Sequence, residues 1–183
     1  GLPWMLEGNY EQLNYQHNCS LNAAGAPNAE CYVTTIGGLG STAVPTTAIS
    51  QYEFETRLGL RVLEPRIYIG VGYLWMSNNV GYPRTSNVGF GIEKLPDLDR
   101  AFSIYGNVWY YGNVKGNFTD PSGNAYQLSY NILKGEFGVV YSLNHSPLFF
   151  EGGAIGEEDH NKSNYPTNAS QFGPYIGIGL KIP

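Results

Sequence analysis

The sequence predicts an all-β fold: an eight-stranded antiparallel up-and-down (meander) β-barrel with its apolar face outward and a polar, plugged interior. Three observations predict it. Apolar and polar residues alternate with period two through most of the chain, as in YEFETRLGLRV (52–62), and no segment holds a 3.6-residue period. Short and long connections alternate, which gathers the long loops at one end of a meander. The two faces differ in bulk, one rich in Tyr, Phe, Ile, Leu and Val, the other in Gly and scattered charges.

The predicted strands follow in order. Residues 5–15 set Leu6 and Tyr10 against Glu7, Asn9 and Glu11. Residues 50–63 set Tyr52, Phe54, Leu58, Leu60 and Val62 against Glu53, Glu55, Arg57 and Arg61. Residues 66–77 set Ile69, Val71, Tyr73 and Trp75 against Tyr68, Gly70, Gly72 and Leu74. Residues 86–95 set Val88, Phe90 and Ile92 against Gly89, Gly91 and Glu93. Residues 101–118 set Phe102, Ile104, Val108, Tyr110 and Val114 against Tyr105, Asn107, Trp109 and Lys115. Residues 125–143 change phase. Tyr126, Leu128, Tyr130 and Ile132 share one face, then Phe137, Val139 and Tyr141 take over opposite Lys134 and Glu136, so a β-bulge is expected near Ile132–Leu133. Residues 148–159 and 171–182 complete the meander, the last with Phe172, Ile176, Ile178 and Leu180 against Gly173, Tyr175, Gly177, Gly179 and Lys181. Residues 16–49 read as a long loop, and 78–85, 119–124 and 160–170 as further connections at the same end.

Composition narrows the class. The 183 residues fit one domain. Charged residues make up 14%, below the roughly 25% of a soluble domain. No apolar run approaches the roughly 18 residues of a transmembrane helix. The net charge of −5 argues against a nucleic-acid partner, and no cofactor motif stands out. Residues 1–15 lack a basic start and an apolar stretch, so this end does not read as a signal peptide; the chain is either cytosolic or a mature form. Cys19 and Cys31 flank a small-residue segment and fit a disulfide closing the long loop, hence an oxidising compartment.

The bulky face decides orientation. The interior of an eight-stranded barrel is just wide enough for side chains to fill it. Bulky residues from all eight strands would overfill it, whereas glycines and paired charges fit. The expected interior network is Glu53, Glu55, Arg57, Arg61, Glu93, Lys115, Lys134, Glu136, Glu151 and Lys181, joined by Glu7, Glu11 and Glu157. Its mixed signs suit burial, because an unpaired buried charge is costly. Outside, Tyr52, Phe54, Tyr73, Trp75, Phe90, Tyr110, Tyr126 and Phe172 fall toward the long-loop end, with Phe102, Tyr141 and Phe150 toward the other.

Alternating faces, unequal loops and two aromatic girdles around an apolar belt resemble the small outer-membrane β-barrels of Gram-negative bacteria. The resemblance is architectural and spans nearly the whole chain. It implies a location in the outer membrane, lipid around the belt, no open pore, no cofactor and a role carried by the long loops, whose surface ligand is unknown. The same belt fits a second class, an extracellular filament in which barrels pack on copies of themselves. A soluble lipocalin-like carrier would turn the apolar residues inward, but Trp4 follows Pro3 rather than opening a Gly-X-Trp motif.

Chemistry-bearing clusters are few. Glu157, Asp159 and His160 sit where a strand meets a long loop and offer oxygen and imidazole ligands to a divalent cation; a solvated strand end is the plainer reading. Lipid A deacylases, barrel enzymes of similar architecture, place His and Ser two apart on one strand. His160 and Ser163 are three apart, which points them to opposite faces, so no catalytic dyad is expected.

Overall fold

A computed structural model of the chain describes residues 3–18, 32–34, 41–43, 46–79, 84–119, 125–143, 146–162 and 169–181. These residues hold no helix. Its strands are β1 (Trp4–Asn18), β2 (Tyr32–Thr34), β3 (Ser41–Ala43), β4 (Thr46–Leu63), β5 (Ile67–Asn78), β6 (Thr85–Lys94), β7 (Phe102–Thr119), β8 (Ala125–Ser142), β9 (Leu148–Asn161) and β10 (Ala169–Leu180). One sheet runs β1-β4-β5-β6-β7-β8-β9-β10, every neighbour antiparallel, and curls into a half-barrel. The expected eight-stranded meander is therefore present. Residues 16–49 are not loop throughout: β1 and β4 extend into them, and β2 pairs β3 as a separate ribbon.

Period-two patterning explains why each strand lies as it does. Leu58, Val71, Phe90, Val108, Val139 and Ile178 project from the convex side and are exposed. Glu53, Glu55, Arg57, Glu93 and Lys134 project from the concave side and are buried. The apolar face is thus outward, as the size argument required.

The concave side also holds an apolar plug. Met5, Tyr68, Leu74, Trp109, Tyr111, Val114 and Ile132 form one buried cluster, with Trp109 and Tyr111 fully covered. The two rings lie nearly parallel, with centroids 6.5 Å apart. Glycines make room for them. A Cβ on Gly91 would sit 2.4 Å from Trp109 Cδ2, and one on Gly72 would sit 2.6 Å from the Tyr111 hydroxyl. The glycine-rich face is therefore a seat for the inner aromatics.

The bulge lies on β7, not on β8 as the phase change suggested. Pairing of β8 with β9 is continuous, while β7 inserts one residue between Tyr111 and Val114 against β8. Asn113 takes the left-handed conformation, φ 53°, that this insertion needs. The amide Nδ2 of Asn87 donates to the Gly112 and Asn113 carbonyls at 2.7 and 3.0 Å, and the Asn113 N–H donates to Asn131 Oδ1 at 3.0 Å. A one-residue slip reverses the face of all that follows. Val114, expected outside, is buried inside, and Lys115, expected inside, is exposed. On β8, Ile132 points inward and Leu133 outward, so that strand needs no slip.

Candidate functional site

The concave side brings two buried cations to a chain of carboxylates. Arg57 on β4 pairs Glu55 at 2.8 Å, Glu7 at 3.1 Å and Glu93 at 3.5 Å. Its guanidinium lies 4.9 Å from the Trp109 ring centroid, a buried cation–π contact. Trp109 Nε1 donates to Glu93 at 3.3 Å, and the Tyr111 hydroxyl donates to Glu55. Lys134 on β8 pairs Glu11 at 3.2 Å, Glu157 at 3.3 Å and Glu55 at 3.9 Å, and also Glu53. Gln51 adds an amide donor to Glu53 at 2.5 Å and to Glu157 at 3.4 Å. Glu55 touches both cations, so the two clusters form one network. Period-two placement on β1, β4, β6, β7, β8 and β9 aims all these side chains at the same space.

A smaller group lies nearer the short turns. Asn107 donates to Glu136 at 2.9 Å, and the Tyr175 hydroxyl, itself bonded to Tyr105, donates to Glu136 as well. Glu151 is half-buried against Gly177.

Two other predicted members of the network fall elsewhere. Arg61 sits at the rim and pairs Glu64 at 3.0 Å. Lys181, expected inside, is exposed beyond the end of β10 and pairs Asp99 in the β6–β7 turn. That hydrogen bond and the nearby ammonium hold the Asp99 carboxyl below its usual range. Arg61 keeps the inward phase of β4 and is half-buried, whereas Lys115 and Lys181 share another reason: the alternation that aims a side chain inward stops at a bulge or a strand end.

The weak metal candidates do not converge. Glu157 and Asp159 face inward and are buried, while His160 faces outward and pairs Glu158 at 3.0 Å. Among the described residues no group of His, Cys, Asp and Glu is arranged to hold a metal ion. Glu157, also expected among the interior charges, joins the Lys134 cluster. Cys19, Cys31 and Ser163 lie outside the described residues.

Of the expected girdle, Phe54, Tyr73, Trp75, Phe90 and Phe172 are exposed on the convex side, and Tyr52 and Tyr110 are half-buried. Phe90 and Tyr110 tilt against each other at 5.6 Å, and Arg84 lies 5.8 Å over Trp75. Tyr126 is a β8 residue whose side chain lies outside the described set. At the other end Phe102 packs on Tyr141 at 4.9 Å.

Sequence reasoning missed Gln51, Tyr111, Val114 and Ile132 as interior groups. Gly72, Gly89 and Gly91 carried a signal for the plug, because glycines clustered on one face leave space that a neighbouring ring must fill. No protein-family model, curated protein or solved structure matches the chain.

Proposed function

We propose that the chain is a membrane-spanning β-barrel of a Gram-negative outer membrane, a structural or surface-interaction protein whose long loops meet an unknown ligand. One observation carries the reading: the exposed apolar belt runs across the sheet while the charges are buried on its other side. Leu6, Leu58, Val71, Phe90, Val108, Val139, Phe150 and Ile178 represent the belt on its eight strands. A water-soluble monomer seldom exposes apolar patches beyond a few hundred Å². Lipid removes that cost, and the aromatic residues toward each end suit the two interfaces. The filled interior argues for anchoring rather than conduction, since Trp109, Tyr111, Leu74 and Ile132 occupy the space a solute would cross.

Detergent dependence tests this. The refolded chain is expected to stay dispersed in detergent micelles, to precipitate when detergent is removed, and to insert into lipid vesicles. A soluble monomer without detergent sinks the reading. Ordered polymers without detergent would assign the belt to copies of the same chain.

A further inference from the structure

A gap interrupts the apolar belt at its short-turn end. Across β5, β6, β7 and β8 a row of paired residues reads Ile67, Lys94, Gly106, Phe137. All four carry the outward phase of their strands. Gly106 has no side chain to fill its place. A notch of about 310 Å³ opens there, walled by Ile67, Ile92 and Val108, with Lys94 at its lip. We propose that this notch binds one anionic glycerophospholipid of the leaflet at that end, with an acyl chain over Gly106 and the phosphate on Lys94. The inference rests on the membrane reading and goes beyond it: a belt needs only bulk lipid, whereas this site selects a headgroup.

Three observations point to an anionic lipid. First, cations gather at this end: Arg61, Arg66, Lys94, Arg100 and Lys181. Arg61, Arg100 and Lys181 pair Glu64, Asp97 and Asp99 in turn. Arg66 and Lys94 instead donate to backbone carbonyls, of Pro96 at 2.8 Å and of Ile104 at 2.5 Å, and make no ion pair among the described residues. Second, an ammonium has three donors, and the Ile104 carbonyl takes one. The others are left for phosphate oxygens, and lysines at a membrane boundary reach for the headgroups. Arg66 precedes Ile67, the cross-strand partner of Lys94, so a second cation starts from the neighbouring strand. Third, the walls of the notch are apolar and open toward the acyl chains, so one molecule meets both parts. Asn107 and Glu136 also border it, but their side chains face the concave side, where Asn107 donates to Glu136 at 2.9 Å. That turns the carboxylate away from the phosphate.

A second groove of about 370 Å³, lined by Leu148, Ile178, Gly179 and Leu180, shows what the first adds. The cation next to it, Lys181, is already paired with Asp99. Its apolar lining accepts an acyl chain from any lipid, whereas Lys94 prefers a headgroup with net negative charge. Phosphatidylglycerol supplies one. Phosphatidylcholine carries the same phosphate with its own cation attached, which offsets the attraction.

Native mass spectrometry of the full chain, released from detergent micelles, tests this with dioleoylphosphatidylglycerol and dioleoylphosphatidylcholine added in equal amounts. The parent chain should keep a phosphatidylglycerol several-fold more often than a phosphatidylcholine. Lys94→Gln should abolish that preference, and Lys94→Arg should preserve it. Lys115→Gln removes the same charge from an exposed position toward the long-loop end and should leave the preference intact. Val108→Trp fills the notch from its exposed wall and should release the phosphatidylglycerol. Lys94→Gln and Val108→Trp alter different parts of the site, so misfolding of one leaves the other to decide. Equal retention of the two lipids by the parent chain, a preference that survives either variant, or one lost equally with Lys115→Gln would each overturn the site. An adduct of inorganic phosphate that Lys94→Gln removes and Val108→Trp keeps would assign the lysine to free phosphate and overturn it too. Flotation with phosphatidylcholine vesicles keeps the two ideas apart. Protein that floats but shows no lipid preference defeats the site alone. Protein that never floats defeats the membrane reading and the site with it.

Discussion

At the scale of single residues, the interior depends on Lys134, whose ammonium lies among Glu11, Glu53, Glu55 and Glu157. Lys134→Met would leave those carboxylates without their shared cation, a loss of about 3–5 kcal/mol. Urea unfolding in micelles should show a lower midpoint; an unchanged midpoint would mean that the cluster is hydrated. Gly91 is the steric counterpart. A methyl there would meet Trp109 at 2.4 Å and the Val108 carbonyl at 2.5 Å, so Gly91→Ala should cost about 1–3 kcal/mol. Gly173→Ala is the control, because nothing lies within 4 Å of its added Cβ. Equal stability of the two variants would refute the seating of Trp109.

Asp99 and Lys181 make a pH-dependent contact at the rim. The folded Asp99 pKa lies below the ordinary 3.8, so the pair stabilises the fold above that value. The contribution is lost as acid takes the pH down through the depressed folded pKa. Lys181→Met should flatten that part of the stability-versus-pH curve and leave the rest unchanged. A curve identical to that of the parent chain would show that solvent screens the pair completely.

At the scale of elements, the bulge in β7 sets the facing of the upper half of that strand. Asn113 tolerates positive φ because its short amide bonds locally, whereas a β-branched side chain does not. Asn113→Val should destabilise by about 1–2 kcal/mol and Asn113→Gly should be near neutral, read as thermal midpoints. If both behave alike, the strand has shed the bulge, and Lys115 should then resist modification in micelles. Much of the strand pattern was legible in the sequence, down to the inward set Glu53, Glu55, Arg57, Glu93 and Lys134. The bulge was not. Period two reports a change of facing but cannot say which of two neighbouring strands carries the extra residue. The β8 sequence seemed to slip because Tyr130 and Ile132 are apolar and yet face inward, joining or packing against the plug.

At the scale of the whole molecule, the belt is the property that matters. Val71 lies midway along β5 on the exposed side. Val71→Lys should weaken folding in vesicles by about 2–4 kcal/mol if the bilayer midplane lies there. The same change on a water-facing surface would stay within about 0.5 kcal/mol, so its size separates lipid from solvent. Urea titration of vesicle-inserted protein supplies the measurement.

The sequence by itself determined the strand class, the meander and the orientation of its faces. Alternation is a local property, and the contrast between bulky and glycine-rich faces is enough to say which side a narrow interior accepts. Only the tertiary structure decided which charges meet. Arg57 and Lys134 share Glu55 because β4 and β8 face each other across the curl, a juxtaposition of residues far apart in the chain. It also decided where inwardness ends. Lys115 and Lys181 obeyed the same alternation as their neighbours until a bulge and a strand end, which pairing rather than pattern creates, turned them to the outside.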